Sequence, residues 1–241
     1  MTSPTPNVKN FGLNDDILDE LEASLSADRL GKYLTATGGD RAEAVRLYTW
    51  NTAVSAAFYG PLQALEIALR NAMNRELARV YGPAWYDSAK AGLDSGCLAR
   101  VDQTKQGLRK DKYPEDAPHV IASLSFGFWV SLLGRGGVID RKTETKANYE
   151  MTLWRPALRH AFPHATNITR KKVHQPLDYL RTFRNRIAHH EPIFTRHLEK
   201  DYLRILETAA WIAPHKRAWI EAHSRVPEIL ETPPDDDNLK F

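Results

Sequence analysis

The sequence predicts an all-α fold. Apolar residues recur at helical spacing in successive segments, no segment shows the sustained alternation of a strand, and the Gly, Pro, Asn and Asp signals fall between the helical runs. Helices packed by ridges and grooves around one core, or two abutting ones, satisfy such a pattern.

Residues 1–12, with Pro4 and Pro6 and little apolar content, read as a flexible leader. Asn14 reads as an N-cap, with Ile17, Leu18, Leu21 and Leu25 on one face of the first helix. Ser26 starts a second, with Leu30, Tyr33 and Leu34 inward, and Gly38-Gly39-Asp40 is a turn and a cap. Arg41 to Tyr81 is helical, and Gly60-Pro61 predicts either two helices or one bent helix, since proline removes a donor and clashes with the preceding turn. A polar helix is expected over 93–109, an apolar one over 119–133 closed by Gly134 to Gly137, and an exposed polar stretch over 138–147. Tyr149, Leu153, Trp154, Ala157 and Leu158 form a helical face stopped by Pro163. Asn167 or Thr169 caps a helix carrying Val173, Leu177, Leu180, Phe183 and Ile187, which Pro192 ends near His190. A helix over 195–212 and a short one near Trp219 follow, and residues 232–241, with Pro233-Pro234-Asp235-Asp236-Asp237, read as a disordered acidic tail. Residues 13–231 are expected to form a single domain.

Composition excludes several classes. The single cysteine, Cys97, leaves no intrachain disulfide and no cysteine-based zinc site, and suits a reducing compartment. The first residues lack the pattern of a signal peptide, and Val120 to Leu133 is too short to span a bilayer, which takes about 20 residues. The expectation is a cytoplasmic protein with no membrane contact. The net charge of +3 is only mildly basic, but residues 168–200 hold eight Lys and Arg against three acids. Clustering of that kind, rather than the net value, points to an anionic partner.

That cluster surrounds Arg184-Asn185-Arg186-Ile187-Ala188-His189-His190-Glu191-Pro192. Arginine supplies a permanent forked cation for a phosphate, histidine exchanges a proton near neutral pH, and asparagine can orient either. Together these residue types can cleave RNA without metal, histidine handling the proton of the ribose 2′-hydroxyl or of the leaving oxygen while arginine stabilises the phosphate. Five residues leave Arg184 and His189 about 140° apart on an ideal helix, so they share a face only if the helix ends between them or a second copy completes the cleft. The alternative is structural: Arg184 tied to a carboxylate and His189 capping the last turn.

The stretch Leu180 to Phe194, with Leu47 to Tyr59, Glu66 to Ala72 and Leu124 to Trp129, resembles the Abi-like (abortive-infection) proteins of the HEPN superfamily over roughly residues 26–213. The resemblance implies a HEPN-type helical bundle, here with additional N-terminal helices, often homodimeric, and a metal-independent endoribonuclease without cofactor. It places Arg184, Asn185 and His189 at the catalytic positions. Arg181, Arg186 and His190 are available by residue type for substrate binding, His190 as readily as His189. It also implies a toxin or phage-defence setting with an antitoxin or regulatory RNA or protein as partner. Because many such proteins only bind, a non-catalytic RNA- or protein-binding module is the alternative.

Other candidates are weaker. His189, His190, Glu191 and His197 lack the spacing of a helical zinc site, and Pro163 interrupts His160 and His164. Gly134 to Gly137 lacks the Lys-Ser/Thr of a phosphate loop, no Gly-x-Ser-x-Gly elbow occurs, and Cys97 has no local signature. Trp50 and Asn51 read as core rather than as an RNA surface, Glu66 and Arg70 as an intrahelical pair, and Phe126, Phe128 and Trp129 as core or dimer interface.

Overall fold

The computed structural model describes residues 12–140, 142–236 and 239–241, so the expected leader lies, but for Gly12, outside the described residues. The chain is all-α. Its helices are α1 (Asp15–Leu25), α2 (Ala27–Ala36), α3 (Arg41–Tyr81), α4 (Ser95–Lys110), α5 (Ala117–Ser123), α6 (Phe126–Ser131), α7 (Arg170–Ala188), α8 (Leu198–Ile212), α9 (Pro214–His223) and α10 (Val226–Glu231). Six starts follow one rule. Asn14, Asp40, Asp94, Asp116, Ser125 and Thr169 each accept a hydrogen bond from the backbone N–H three residues on, satisfying a donor that the helix itself leaves open.

The long α3 is the axis of the molecule. Its 41 residues span about 60 Å, and it packs against α2, α6, α7, α8, α9 and α10. Pro61 lies inside it and is buried, so the two-helix alternative does not hold. A proline in a helix costs about 3 kcal/mol. Phe58, Leu62, Leu65 and Leu69 are fully enclosed on either side of it, and each such burial contributes roughly 1.5–3 kcal/mol, which outweighs that cost.

Elsewhere the structure breaks what the sequence predicts as continuous. The apolar run 119–133 is two helices: Leu124 is extended (φ −71°, ψ 128°) and Ser125 caps α6 afresh. Phe126, Phe128 and Trp129 are core residues, and the Trp129 indole donates to the Leu124 carbonyl that the break exposes. The expected helix on Tyr149 to Leu158 is a π turn (Glu150–Trp154) and a 3-10 turn (Leu158–Ala161), with Pro156, which has no N–H to donate, between them. The polar stretch 138–147 holds a small antiparallel hairpin, β1 (Val138–Asp140) and β2 (Thr145–Lys146), too short to show alternation. Gly136 leads into it at φ 80°, and a Cβ there would lie 2.7 Å from that of Ala147. α9 is a full helix and α10 an unexpected one. The described part of the acidic tail is attached to the fold: the Trp50 indole donates to the Thr232 carbonyl at 2.8 Å, and Leu239 packs on the core.

The return from α7 to α8 is pinned to α3. The Asn51 side chain, 5 % exposed, accepts from the N–H groups of Ile193 (2.8 Å) and Phe194 (3.2 Å). Asn51 is thus a core residue, as its sequence context suggests. Phe194 stacks at 5.0 Å on Tyr33 of α2, and Arg196 pairs with the fully buried Asp201 at 2.8 Å while lying over the rings of Tyr179 and Phe183. Asn51→Ala strands two backbone donors that have no other partner among the described residues, and we expect a loss of about 2–4 kcal/mol, measured by denaturant unfolding. An effect below about 0.5 kcal/mol would show that the return is held by its apolar contacts alone.

Candidate functional site

α7 presents Val173, Leu177, Leu180, Phe183 and Ile187 to the core, all buried, and carries the candidate residues on the remainder of its surface. It ends in a Schellman motif. The Glu191 N–H bonds to the Arg186 carbonyl at 2.8 Å and the His190 N–H to that of Ile187 at 3.0 Å. The left-handed position this closure needs is filled by His190 (φ 55°), where glycine is the usual occupant. Arg29 of α2 then donates to the His190 carbonyl at 2.6 Å. His189 is the last residue before the reversal (φ −93°, ψ 10°), and its ring is exposed at the helix C-terminus.

Arg184 points the other way, toward α3. It lines a cleft of about 270 Å³ with Tyr59, Gln63, Glu66 and Arg70. Its Nε lies 3.8 Å from a Glu66 carboxylate oxygen, beyond hydrogen-bond range. Among the described residues Arg184 makes no hydrogen bond, so its donor fork is open. Arg70 turns away to the Ala122 carbonyl (3.2 Å) and the Asn71 side chain (3.3 Å), so the expected Glu66–Arg70 pair is replaced by Glu66–Arg184. The Asn185 side chain is half-buried and unbonded among the described residues. Among the described residues no side-chain hydrogen bond links Arg184, Asn185 and His189 to one another; the His189 backbone N–H bonds to the Asn185 carbonyl at 2.9 Å as part of the helix end.

The three residues considered for substrate binding separate. Arg181, about 60° around the helix from Arg184, bonds to Asp178 at 2.8 Å and faces a second cavity between α4, α6 and α7, not the Arg184 cleft. Arg186 faces Glu191 at 3.3 Å on the rim. His190 is committed through its backbone to the helix closure. The basic cluster is also quieter than its composition suggests: Arg170, Arg181, Arg184, Arg186 and Arg196 each face a carboxylate.

Arg29 and the second cavity had no local signal in the sequence. His174 and Asp178, at positions i and i+4 of the motif's own helix, could have been found by reading that face through. Cys97 is buried beside Ser131, and burial pushes its thiol up, away from a nucleophile's range. Among the described residues no three His, Cys, Asp or Glu side chains converge on a metal position, and no helix is long and apolar enough to cross a membrane. Comparison with protein-family models, with curated proteins and with solved structures gives no match.

The left-handed backbone at His190 separates the two histidines experimentally. His190→Gly relieves a conformation that costs an L-residue about 1–2 kcal/mol, part of it offset by the freer unfolded chain. We expect a net gain of about 0.5–1 kcal/mol in thermal or denaturant unfolding, with the function of the site retained. A loss of stability would mean that the His190 side chain contributes contacts of its own.

Proposed function

We propose that the C-terminal end of α7 is the active site of a metal-independent endoribonuclease of the HEPN type, with Arg184, Asn185 and His189 as its working residues. The observation that carries this reading is the state of Arg184: a guanidinium in a cleft, with one distant carboxylate and no hydrogen bond. Arginine forks left open in this way suit the two non-bridging oxygens of a phosphodiester. An incoming phosphate replaces Glu66 as its partner. The exposed imidazole of His189, one residue beyond the helix, supplies the proton exchange, and the half-buried Asn185 between them supplies an amide for orientation.

The reaction needs neither water nor metal in its first step. The ribose 2′-hydroxyl loses its proton to a base and attacks the adjacent phosphorus. The bond from phosphorus to the 5′-oxygen breaks, and that oxygen takes a proton, leaving a 2′,3′-cyclic phosphate and a 5′-hydroxyl. One histidine serves one of these proton transfers. Because His189 and Arg184 leave α7 in different directions, a homodimer whose symmetry axis passes near the motif would supply the second histidine and close the cleft. The toxin or phage-defence setting, with an antitoxin or regulatory RNA as partner, belongs to the same proposal and rests on the resemblance of residues 180–194.

Purified protein is expected to cleave a mixed RNA pool in the presence of a chelator, and to spare a substrate with 2′-deoxyribose at the scissile position. His189→Ala should lower the rate about 100- to 10,000-fold, and Arg184→Ala should reduce it comparably. Equal rates for His189→Ala and wild type would end the catalytic reading. RNA retained on a filter without cleavage, with strong salt dependence, would assign the protein to the binding-module alternative instead.

A further inference from the structure

We propose that the cavity between α4, α6 and α7, lined by Arg181 and not by Arg184, is a binding site for phosphate monoesters. This proposal does not depend on the ribonuclease reading. The cavity holds about 470 Å³, within the range of small-ligand sites, roughly 300–1,000 Å³.

Its charge is arranged for an anion. α7 contributes His174, Asp178 and Arg181 from one helical face; α4 contributes Arg100, and the loop after α6 contributes Arg135. Arg135 has no partner among the described residues. Arg100 has only the neutral Ser131 hydroxyl at 3.1 Å. These two differ from the four closely paired arginines of the basic cluster: among the described residues neither has a carboxylate within ion-pair range. The two acids on the wall are already satisfied. Asp178 holds Arg181. Asp94 accepts from the Cys97 N–H (2.8 Å), the Gly137 N–H (2.7 Å) and the Tyr149 hydroxyl (3.0 Å). Burial opposes its ionisation, but those hydrogen bonds prevail and hold its carboxyl below the usual range.

Small residues open the floor. A Cβ on Gly134 would meet the Ser131 carbonyl at 3.0 Å and the His174 Nε2 at 3.7 Å, and one on Gly127 would lie 3.6 Å from the Arg181 side chain. The His174 ring therefore edges the cavity directly beside a bare backbone. Burial, with the nearby Arg170 and Arg181 against the opposing Asp178, holds its titration below the ordinary imidazole range. In its neutral form it can donate one ring N–H or accept from a monoester hydroxyl. A dianionic phosphate between Arg100 and Arg135 supplies the missing counter-charge to both. It also stabilises a proton on His174.

The test is calorimetric titration of the full chain with inorganic phosphate, with adenosine 5′-monophosphate and with adenosine. Saturable one-site binding is expected for both phosphates and none for adenosine. Arg100→Ala and Arg135→Ala should each weaken it about 10-fold or more, the value of a hydrogen bond to a charged group. Arg184→Ala should leave it unchanged. Adenosine monophosphate binding well above phosphate would identify a nucleotide as the source, and equal affinity a free oxyanion. By NMR the His174 titration, assigned with His174→Gln, should move upward when phosphate is added. Absence of saturable binding, an unmoved His174 titration, or loss of binding in Arg184→Ala but not in Arg135→Ala would overturn the proposal; the last would place the anion in the other cleft.

Discussion

The carboxamide of Asn51 is the interaction on which the candidate site depends. It reaches from the middle of α3 to two consecutive backbone donors just beyond the end of α7. A reversal enclosed in apolar surroundings must find partners for those donors, and leaving either unmade costs far more than a surface hydrogen bond yields. With the return fixed at Ile193, the helix closure at His190 has little freedom left. The Arg29 contact then ties the N-terminal helices to the same point. The exposed His189 ring therefore stands just beyond a helix end held by the Asn51 and Arg29 hydrogen bonds.

Electrostatics divides the surface of α7 in two. Arginines that look alike in the sequence have three different states. Arg170, Arg181, Arg186 and Arg196 face near carboxylates, Arg184 has a distant one, and Arg100 and Arg135, from other parts of the chain, have none. A cation already paired adds little to the field felt by an approaching anion, so composition overstates how basic this region is. The two sites proposed for an anion are the Arg184 cleft and the cavity edged by Arg100 and Arg135. Arg181 lines the second and Arg184 the first.

Much of the fold is legible without coordinates, because helices are encoded locally. The caps at Asn14, Asp40 and Thr169, the stop at Gly82 and the apolar face from Val173 to Ile187 depend on residues within a turn or two of each other. The departures share one cause. Pro61 signals a break or a bend but lies buried inside one helix, because packing around it outweighs the local penalty. The run 119–133 signals one helix but is two, because Ser125 caps the second and Leu124 is drawn into the core. The hairpin at 138–146 is held by Asp94, 43 positions from Gly137.

The sequence by itself determined that the chain is helical, where most helices begin, which face of α7 is buried, and that a concentration of phosphate-handling residue types lies at that helix's end. Only the tertiary structure decided which side chains meet there: Glu66 rather than Arg70 opposite Arg184, Arg181 turned into a different cavity, His190 spent on the backbone closure, and His174 set among arginines from α4 and from the loop after α6. The reason is range. A cap or an amphipathic face is a relation between neighbours a few positions apart, which the sequence displays directly, whereas an ion pair or a cavity joins segments that are close only after the core has formed.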